Sequence, residues 1–255
     1  MSAPRPHAGK LLGVGVGPGD PELLTLKAMR ALGEADVIAH FAKAGRASHS
    51  RAIVARHLRA EVAELPLYYP VTTELPKTCE DYRAAIRDFY DAAAAAIAAE
   101  LAAGRVVAVI CEGDPLFYGS YMHLHMRLAP RFATEIVAGV TGMSGCWSAA
   151  GLPIAQGDDV FTVLPATLPE HELARRLGEA DAAVVMKVGR HLAKLRRALQ
   201  VSGRLNRAIY VERGTMAEEK MLPLALKGDD EAPYFAVVLV PGFNKRPGEA
   251  PGEAP

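Results

Sequence analysis

The chain has 255 residues and 50% hydrophobic content, enough to bury a large core as one long domain or two shorter ones, and two are expected. Its 29 lysines and arginines balance 29 aspartates and glutamates, so no global field attracts nucleic acid or a membrane surface, and an anionic ligand must be held by local basic residues. No apolar run approaches membrane-spanning length, the start Met1-Ser2-Ala3-Pro4-Arg5-Pro6 lacks a signal-peptide core, and Cys79, Cys111 and Cys146 form no Cys-x-x-Cys pair, which together point to a cytoplasmic protein with reduced, structural thiols.

In chain order, the first predicted strand, Leu11 to Val16, runs into the glycine-rich loop Gly15-Val16-Gly17-Pro18-Gly19-Asp20. Asp20 is placed as N-cap and Pro21 at the first helical position, with Leu23, Leu24, Leu26, Met29 and Leu32 repeating at helical spacing. Two nucleotide motifs compete for such a loop, and both fail on spacing. Asp20 stands where the dinucleotide fingerprint requires a third glycine, and no Gly-Lys-Ser/Thr is present. The second strand, Val37 to Phe41, also lacks a terminal acid for an adenosine ribose. A long helix follows over Cys79 to Ala103, whose alanines suit close packing, and then the strand Val106 to Cys111.

That strand ends in Glu112-Gly113-Asp114-Pro115-Leu116-Phe117-Tyr118-Gly119-Ser120, a loop shaped for a ligand. Gly113 admits close backbone approach, Asp114 offers a carboxylate, Pro115 fixes the exit, and Phe117 and Tyr118 supply aromatic walls. An ordinary strand-to-helix turn has similar chemistry. A short strand, Thr134 to Val137, leads into Gly139-Val140-Thr141-Gly142-Met143-Ser144-Gly145 and the helix carrying Trp147. The strands Ala182 to Val188, Ala208 to Val211 and Phe235 to Val240 follow, with a helix over Pro169 to Gly178. Met186 and Lys187 end one of them, and Glu212-Arg213-Gly214-Thr215-Met216 follows another. The alternation indicates α/β layering. The expected divisions are a flexible terminus over 1–9, an α/β lobe over 10–118, a second over 119–245 and a disordered Pro/Gly/Glu/Ala tail over 246–255. His123 and His125 are two apart on a helix and face different ways, so no metal site is expected.

With these loops in hand, the chain resembles the tetrapyrrole methylases, S-adenosylmethionine-dependent enzymes of the sirohaem and cobalamin pathways, over about Lys10 to Pro241. Val16-Gly17-Pro18-Gly19-Asp20 with Leu23-Leu24-Thr25 is similar to the family's first signature, and Gly113-Asp114-Pro115 to its cofactor loop. Glu112, Leu116 to Met122, and Gly142 to Trp147 more narrowly resemble the branch that methylates precorrin-2 at carbon 20. The resemblance implies two α/β lobes with a cofactor cleft between them, and a homodimer. It implies S-adenosyl-L-methionine contacts from Pro18, Gly113, Asp114, Phe117, Thr141, Gly142, Met186, Gly214 and Thr215. At the second position of the third loop Gly142 replaces the alanine or serine of many relatives, so only a backbone contact carries over there.

The implied reaction is methylation of precorrin-2 at carbon 20 to precorrin-3A in aerobic cobalamin synthesis. Alternatives are the cobalt-loaded macrocycle of the anaerobic route and a protein that carries a tetrapyrrole without turnover. Glu112 and Tyr118 are candidates, by position in the loop, for the base that removes the meso proton. The macrocycle is a polycarboxylate, for which two basic clusters are candidates: Arg46 and Arg51 with Lys43, His49 and Arg56, and Lys187 and Arg190 with His191 and Lys194.

Overall fold

Five strands, β1 (Lys10–Gly15), β2 (Val37–Lys43), β3 (Ala63–Tyr69), β4 (Val106–Cys111) and β5 (Ala133–Val137), form one parallel sheet in the order β3-β2-β4-β1-β5. The computed structural model describes residues 9–70 and 79–242. The expected terminus 1–9 and tail 246–255 lie outside the described residues, except Gly9, which is buried against Leu101.

The three central strands are mostly apolar, with His40 on β2 the buried exception, because helices cover both faces of a parallel sheet. The period of two divides them. Leu11, Ala39, Val107 and Val109 face α3 (Glu80–Ala102) and α4 (Tyr121–Leu128), whereas Leu12, Val14, Ile38, Ala108 and Ile110 face α1 (Leu26–Glu34) and the short α2 (His49–Ile53). On α3 the buried residues Tyr90, Ala93, Ala94, Ile97, Ala98 and Leu101 repeat at helical spacing, and the alanines pack as the composition suggests. Gly13 lies under the buried ring of Tyr121, where a Cβ would sit 2.4 Å from ring carbons.

Two local expectations are corrected here. Asp20 caps only a 3-10 turn, Pro21–Leu23, through the N–H of Glu22; Leu24 is extended, and α1 begins at Leu26 with the Thr25 hydroxyl accepting from the N–H of Ala28. The division of the chain falls after Gly142, not at 118/119. Strand β5 pairs with β1, and α4 packs in the same core as α3, so residues 119–142 belong to the first unit.

The second unit contains α5 (Gly142–Ala149), which begins at the division, then β6 (Phe161–Pro165), α6 (Glu170–Glu179), β7 (Ala182–Met186), α7 (Leu192–Val201), β8 (Ile209–Glu212), β9 (Lys220–Pro223) and β10 (Ala236–Val240). Its sheet runs β6-β7-β10-β8-β9, with β6 and β7 parallel and β10 antiparallel to both β7 and β8. Alternation again sorts the faces: Ala183 and Val185 join the Leu173, Leu177, Leu195 and Leu199 core under α6 and α7, and Val184 and Met186 turn toward Cys146 on α5. Among the described residues no helix is long and apolar enough to cross a membrane.

Candidate functional site

The first unit brings three of the expected loops together, because β4, β1 and β5 are adjacent and parallel and their carboxyl ends share one edge. The loops then touch backbone to backbone. Gly17 and Gly113 form an antiparallel bridge in which the N–H of Gly113 donates to the Gly17 carbonyl at 2.8 Å. A Cβ on Gly139 would lie 2.1 Å from the Gly113 oxygen and 2.8 Å from the Gly15 Cα, and one on Gly15 would lie 2.5 Å from the same Gly113 oxygen. Gly113, at φ 67°, sits beside Thr141 and Gly142, whereas the space a Cβ on Gly142 would enter is open. Pro18, Gly113, Asp114, Thr141 and Gly142 therefore lie on one glycine platform, with Phe117 half-buried in the same loop as Gly113.

Asp114 holds this platform. One carboxylate oxygen accepts from the N–H of Leu116 at 2.9 Å, and the other from the N–H of Gly139 at 3.2 Å, so one side chain clasps the second loop to the third. Glu112 is similarly occupied: its Oε1 accepts from the N–H of Ser50 at 2.9 Å, tying the loop to α2, which Ser48 caps. The platform glycines Gly15 and Gly139 and the anchors Ser48 and Ser50 were not separable in the sequence from ordinary loop residues. The glycine spacing in Gly15-Val16-Gly17 and in Gly139-Val140-Thr141-Gly142 was the available signal.

In the second unit β7 and β8 run in the same direction on either side of β10, with Val185, Val238 and Tyr210 in one row. Met186 and the loop after β8 thus reach the same sheet edge. Met186 packs on the cluster of Cys146, Val184 and Val211, and Gly214 lies against α5, where a Cβ would meet the Cys146 sulfur at 2.8 Å. Burial pushes the Cys146 thiol up to about 12, which keeps it an inert packing group. The N–H of Thr215 donates to the Glu219 carboxylate at 2.6 Å.

Backbone strain collects in the same loops. Among the described residues the non-glycine positions with positive φ are Tyr118 (55°), Lys187 (58°), Arg213 (51°) and Thr215 (69°). Each such residue costs on the order of 1 to 3 kcal/mol and persists only where its surroundings over-determine it, a pattern that concentrates at ligand sites. A cavity of ≈ 550 Å³ elsewhere in the second unit, lined by Tyr210, Glu212, Lys220, Lys227 and Asp229, contains none of the expected residues.

The basic candidates separate. Arg51 is held by Glu64 in a fork of two bonds at 2.9 and 2.8 Å, which lowers the Glu64 pKa, whereas Arg46, Lys187 and Arg190 are exposed. Lys194 donates to the Leu168 carbonyl. The His123 ring packs tilted against Tyr90 with centroids 4.3 Å apart, and His125 Nδ1 lies 3.3 Å from the Tyr121 hydroxyl, so the two histidines serve different neighbours. His40, buried on β2 with Nε2 3.4 Å from Glu64, has its pKa lowered below 6.5 by burial, which outweighs Glu64; burial also lowers that of His123. Below about pH 6.5 the unfolded chain takes up protons that these folded histidines refuse, so stability declines as pH falls. The urea midpoint is expected to be lower at about pH 5.5 than at about pH 7.5, with a smaller difference in His40→Gln; equal slopes in the two proteins would refute the His40 assignment.

Glycine-lined loops at the carboxyl edge of a parallel sheet, joined to a second unit with a strained loop of the same kind, define an α/β enzyme of small molecules. The chain belongs to the Tetrapyrrole (Corrin/Porphyrin) Methylases, whose sequence profile matches residues 10–227. It is 64% identical to a precorrin-2 C(20)-methyltransferase of Sinorhizobium sp over 94% of this chain and 98% of that protein. It is 30% identical to the cobalt-precorrin-2 C(20)-methyltransferase of Salmonella typhimurium over 91% of this chain and 96% of that one. The uroporphyrin-III C-methyl transferase of Thermus thermophilus, solved in complex with S-adenyl homocysteine, shares the fold with a TM-score of 0.61 at 23% identity, covering 91% of this chain and 96% of that one.

Proposed function

We propose that this protein transfers a methyl group from S-adenosyl-L-methionine to carbon 20 of precorrin-2. The observation that carries this reading is 64% identity over nearly the full length of an enzyme named for that reaction, with the glycine platform intact. Identity to the relative named for the cobalt-loaded substrate is lower, 30%, which favours the metal-free macrocycle and the aerobic route.

When bound, the cofactor supplies an electrophilic methyl on a sulfonium that is already a good leaving group. The protein's task is alignment, worth roughly 7 to 11 kcal/mol at best. In the first unit Pro18, Gly113 and Gly142 offer backbone, Asp114 holds the loops that do so, and Phe117 and Thr141 offer side chains. In the second unit Met186, Gly214 and Thr215 are the proposed contacts. Fit is supported by the open space over Gly142 and the left-handed Gly113, where backbone can meet a ligand without obstruction. Of the two groups considered for the meso proton, Glu112 is tied through Oε1 to α2, and Tyr118 is 44% exposed at the lip of its loop, so Tyr118 is the better placed to touch the macrocycle. Arg46 and Arg190 are exposed and proposed to meet its carboxylates together with the exposed Lys187, whereas Arg51 is held by Glu64. A cytoplasmic homodimer completes the reading.

The test is anaerobic incubation of precorrin-2, and separately of its cobalt-loaded form, with methyl-labelled S-adenosylmethionine, read by mass spectrometry and carbon-13 NMR. One labelled methyl at carbon 20 of the metal-free substrate is expected. Labelling of the cobalt form alone moves the protein to the anaerobic route, and labelling of neither removes the proposed activity.

A further inference from the structure

Tyr69, the last residue of β3, donates its phenolic proton to Ser120 Oγ, and its oxygen lies 3.2 Å from the Tyr90 hydroxyl. Since Tyr69 has only one proton and gives it to Ser120, Tyr90 is the donor in the second bond. A chain of three hydroxyls thus runs from α3 through β3 to the residue that opens α4. The Tyr69 ring is fixed by stacking on Phe41 at 5.6 Å and 21°, with Phe89 at 4.6 Å and Tyr90 at 6.3 Å. Burial raises the Tyr69 pKa, keeping the phenol a donor. Ser120 stands at the N-cap of α4 yet makes no capping bond, so its hydroxyl is committed outward to Tyr69 rather than to its own helix.

Ser120 is also the anchor of the strained turn. Tyr118 has φ 55°, and Gly119 leaves no room for a Cβ, which would be 2.7 Å from the Pro115 carbonyl. At the amino end of this turn Asp114 accepts from Leu116, and the N–H of Phe117 reaches the Asp114 carbonyl at 3.3 Å. Between these fixed ends lie Phe117 and Tyr118, whose rings meet tilted at 59° with centroids 4.9 Å apart. Strain at Tyr118 persists only if both ends are held.

We infer that Tyr69 is a positioning residue: through Ser120 it holds the Phe117–Tyr118 turn in the form that faces ligand. Its effect on turnover rests on the methyltransferase reading; its effect on the turn does not. Tyr69→Phe keeps the ring stack and removes the donor, Ser120→Ala removes the acceptor, and the double variant closes a cycle. Amide hydrogen exchange over residues 116–120 is expected to quicken on the order of tenfold in each single variant and no further in the double. The kcat for precorrin-2 should fall by a similar factor and the KM for S-adenosylmethionine rise, since Phe117 lies in the loosened turn, with the urea midpoint little changed. Unaltered exchange in 116–120, additive effects, or loosening spread over β3 and α3 with kcat intact would each overturn the inference. A wild-type protein inactive on precorrin-2 would instead refute the proposed activity, while the exchange cycle still decides the role of Tyr69.

Discussion

Asp114→Ala is expected to weaken binding of S-adenosylhomocysteine by at least about 10²-fold and to reduce turnover as much, with overall stability lowered by about 1 to 3 kcal/mol as well. The carboxylate accepts from two backbone amides, Leu116 in its own loop and Gly139 across the sheet edge. Hydrogen bonds to charged groups contribute about 1.5 to 3 kcal/mol each, and every 1.4 kcal/mol is a factor of ten in affinity. Losing both frees the second and third loops from each other at the place where the ligand must find them pre-arranged. Asp114→Asn keeps one acceptor oxygen and should fall between wild type and alanine. Calorimetric titration of the three proteins with S-adenosylhomocysteine checks this; equal dissociation constants would show that the clasp is not part of the binding site.

The second large effect is a contrast between neighbouring glycines. Gly139→Ala forces a methyl to 2.1 Å from the Gly113 carbonyl oxygen and 2.8 Å from the Gly15 Cα, both backbone atoms that no rotamer change can move. Overpacking of buried sites costs typically 1 to 3 kcal/mol, and with backbone on every side about 3 kcal/mol or more is expected here, with loss of cofactor binding. Gly142→Ala meets nothing within 4 Å and lies in the first turn of α5, so stability should stay within about 0.5 kcal/mol of wild type while cofactor affinity drops. Urea unfolding followed alongside titration separates the two. If Gly142→Ala unfolds the protein, or if Gly139→Ala is as stable as wild type, the glycines are not divided between scaffold and ligand surface in this way.

These effects bear on what the sequence made legible. The inner strands β1, β2, β4, β7, β8 and β10 were read within a residue or two because strands covered on both faces are dominated by apolar runs. The strands that were missed are all edges, although the edge strand β5 was read: β3 contains Pro66, β6 ends at Pro165 and β9 ends at Pro223, and an edge tolerates a residue that cannot donate to a ladder. The five-residue α2 was not read from the sequence, since its support comes from Ser48 and from distant Glu112 rather than from a repeating apolar face. The loops of the candidate site were visible as glycine with aspartate, proline or hydroxyl at strand ends, and the resemblance to the methylases attached a chemistry to them. Partnerships were not visible. Asp114 to Gly139, Arg51 to Glu64 and Tyr69 to Ser120 join residues whose proximity is created by strand order, which local patterns do not encode.

The position of β1 also governs how the first unit assembles during synthesis. Lys10 partners Val106 on one side and Ala133 on the other, so β1, made before either neighbour, has no partner in the sheet until β4 exists and is not enclosed until β5 does. At ribosomal speeds of roughly 5 to 20 residues per second, that wait is on the order of ten seconds. Throughout it, Leu11, Leu12, Val14 and Val16 remain an apolar, unpaired edge on a nascent chain, and the glycine platform cannot begin to form. Closure of the sheet by β1 and assembly of the ligand loops are therefore one late event, which couples the yield of native protein to whatever shields that first strand while it waits.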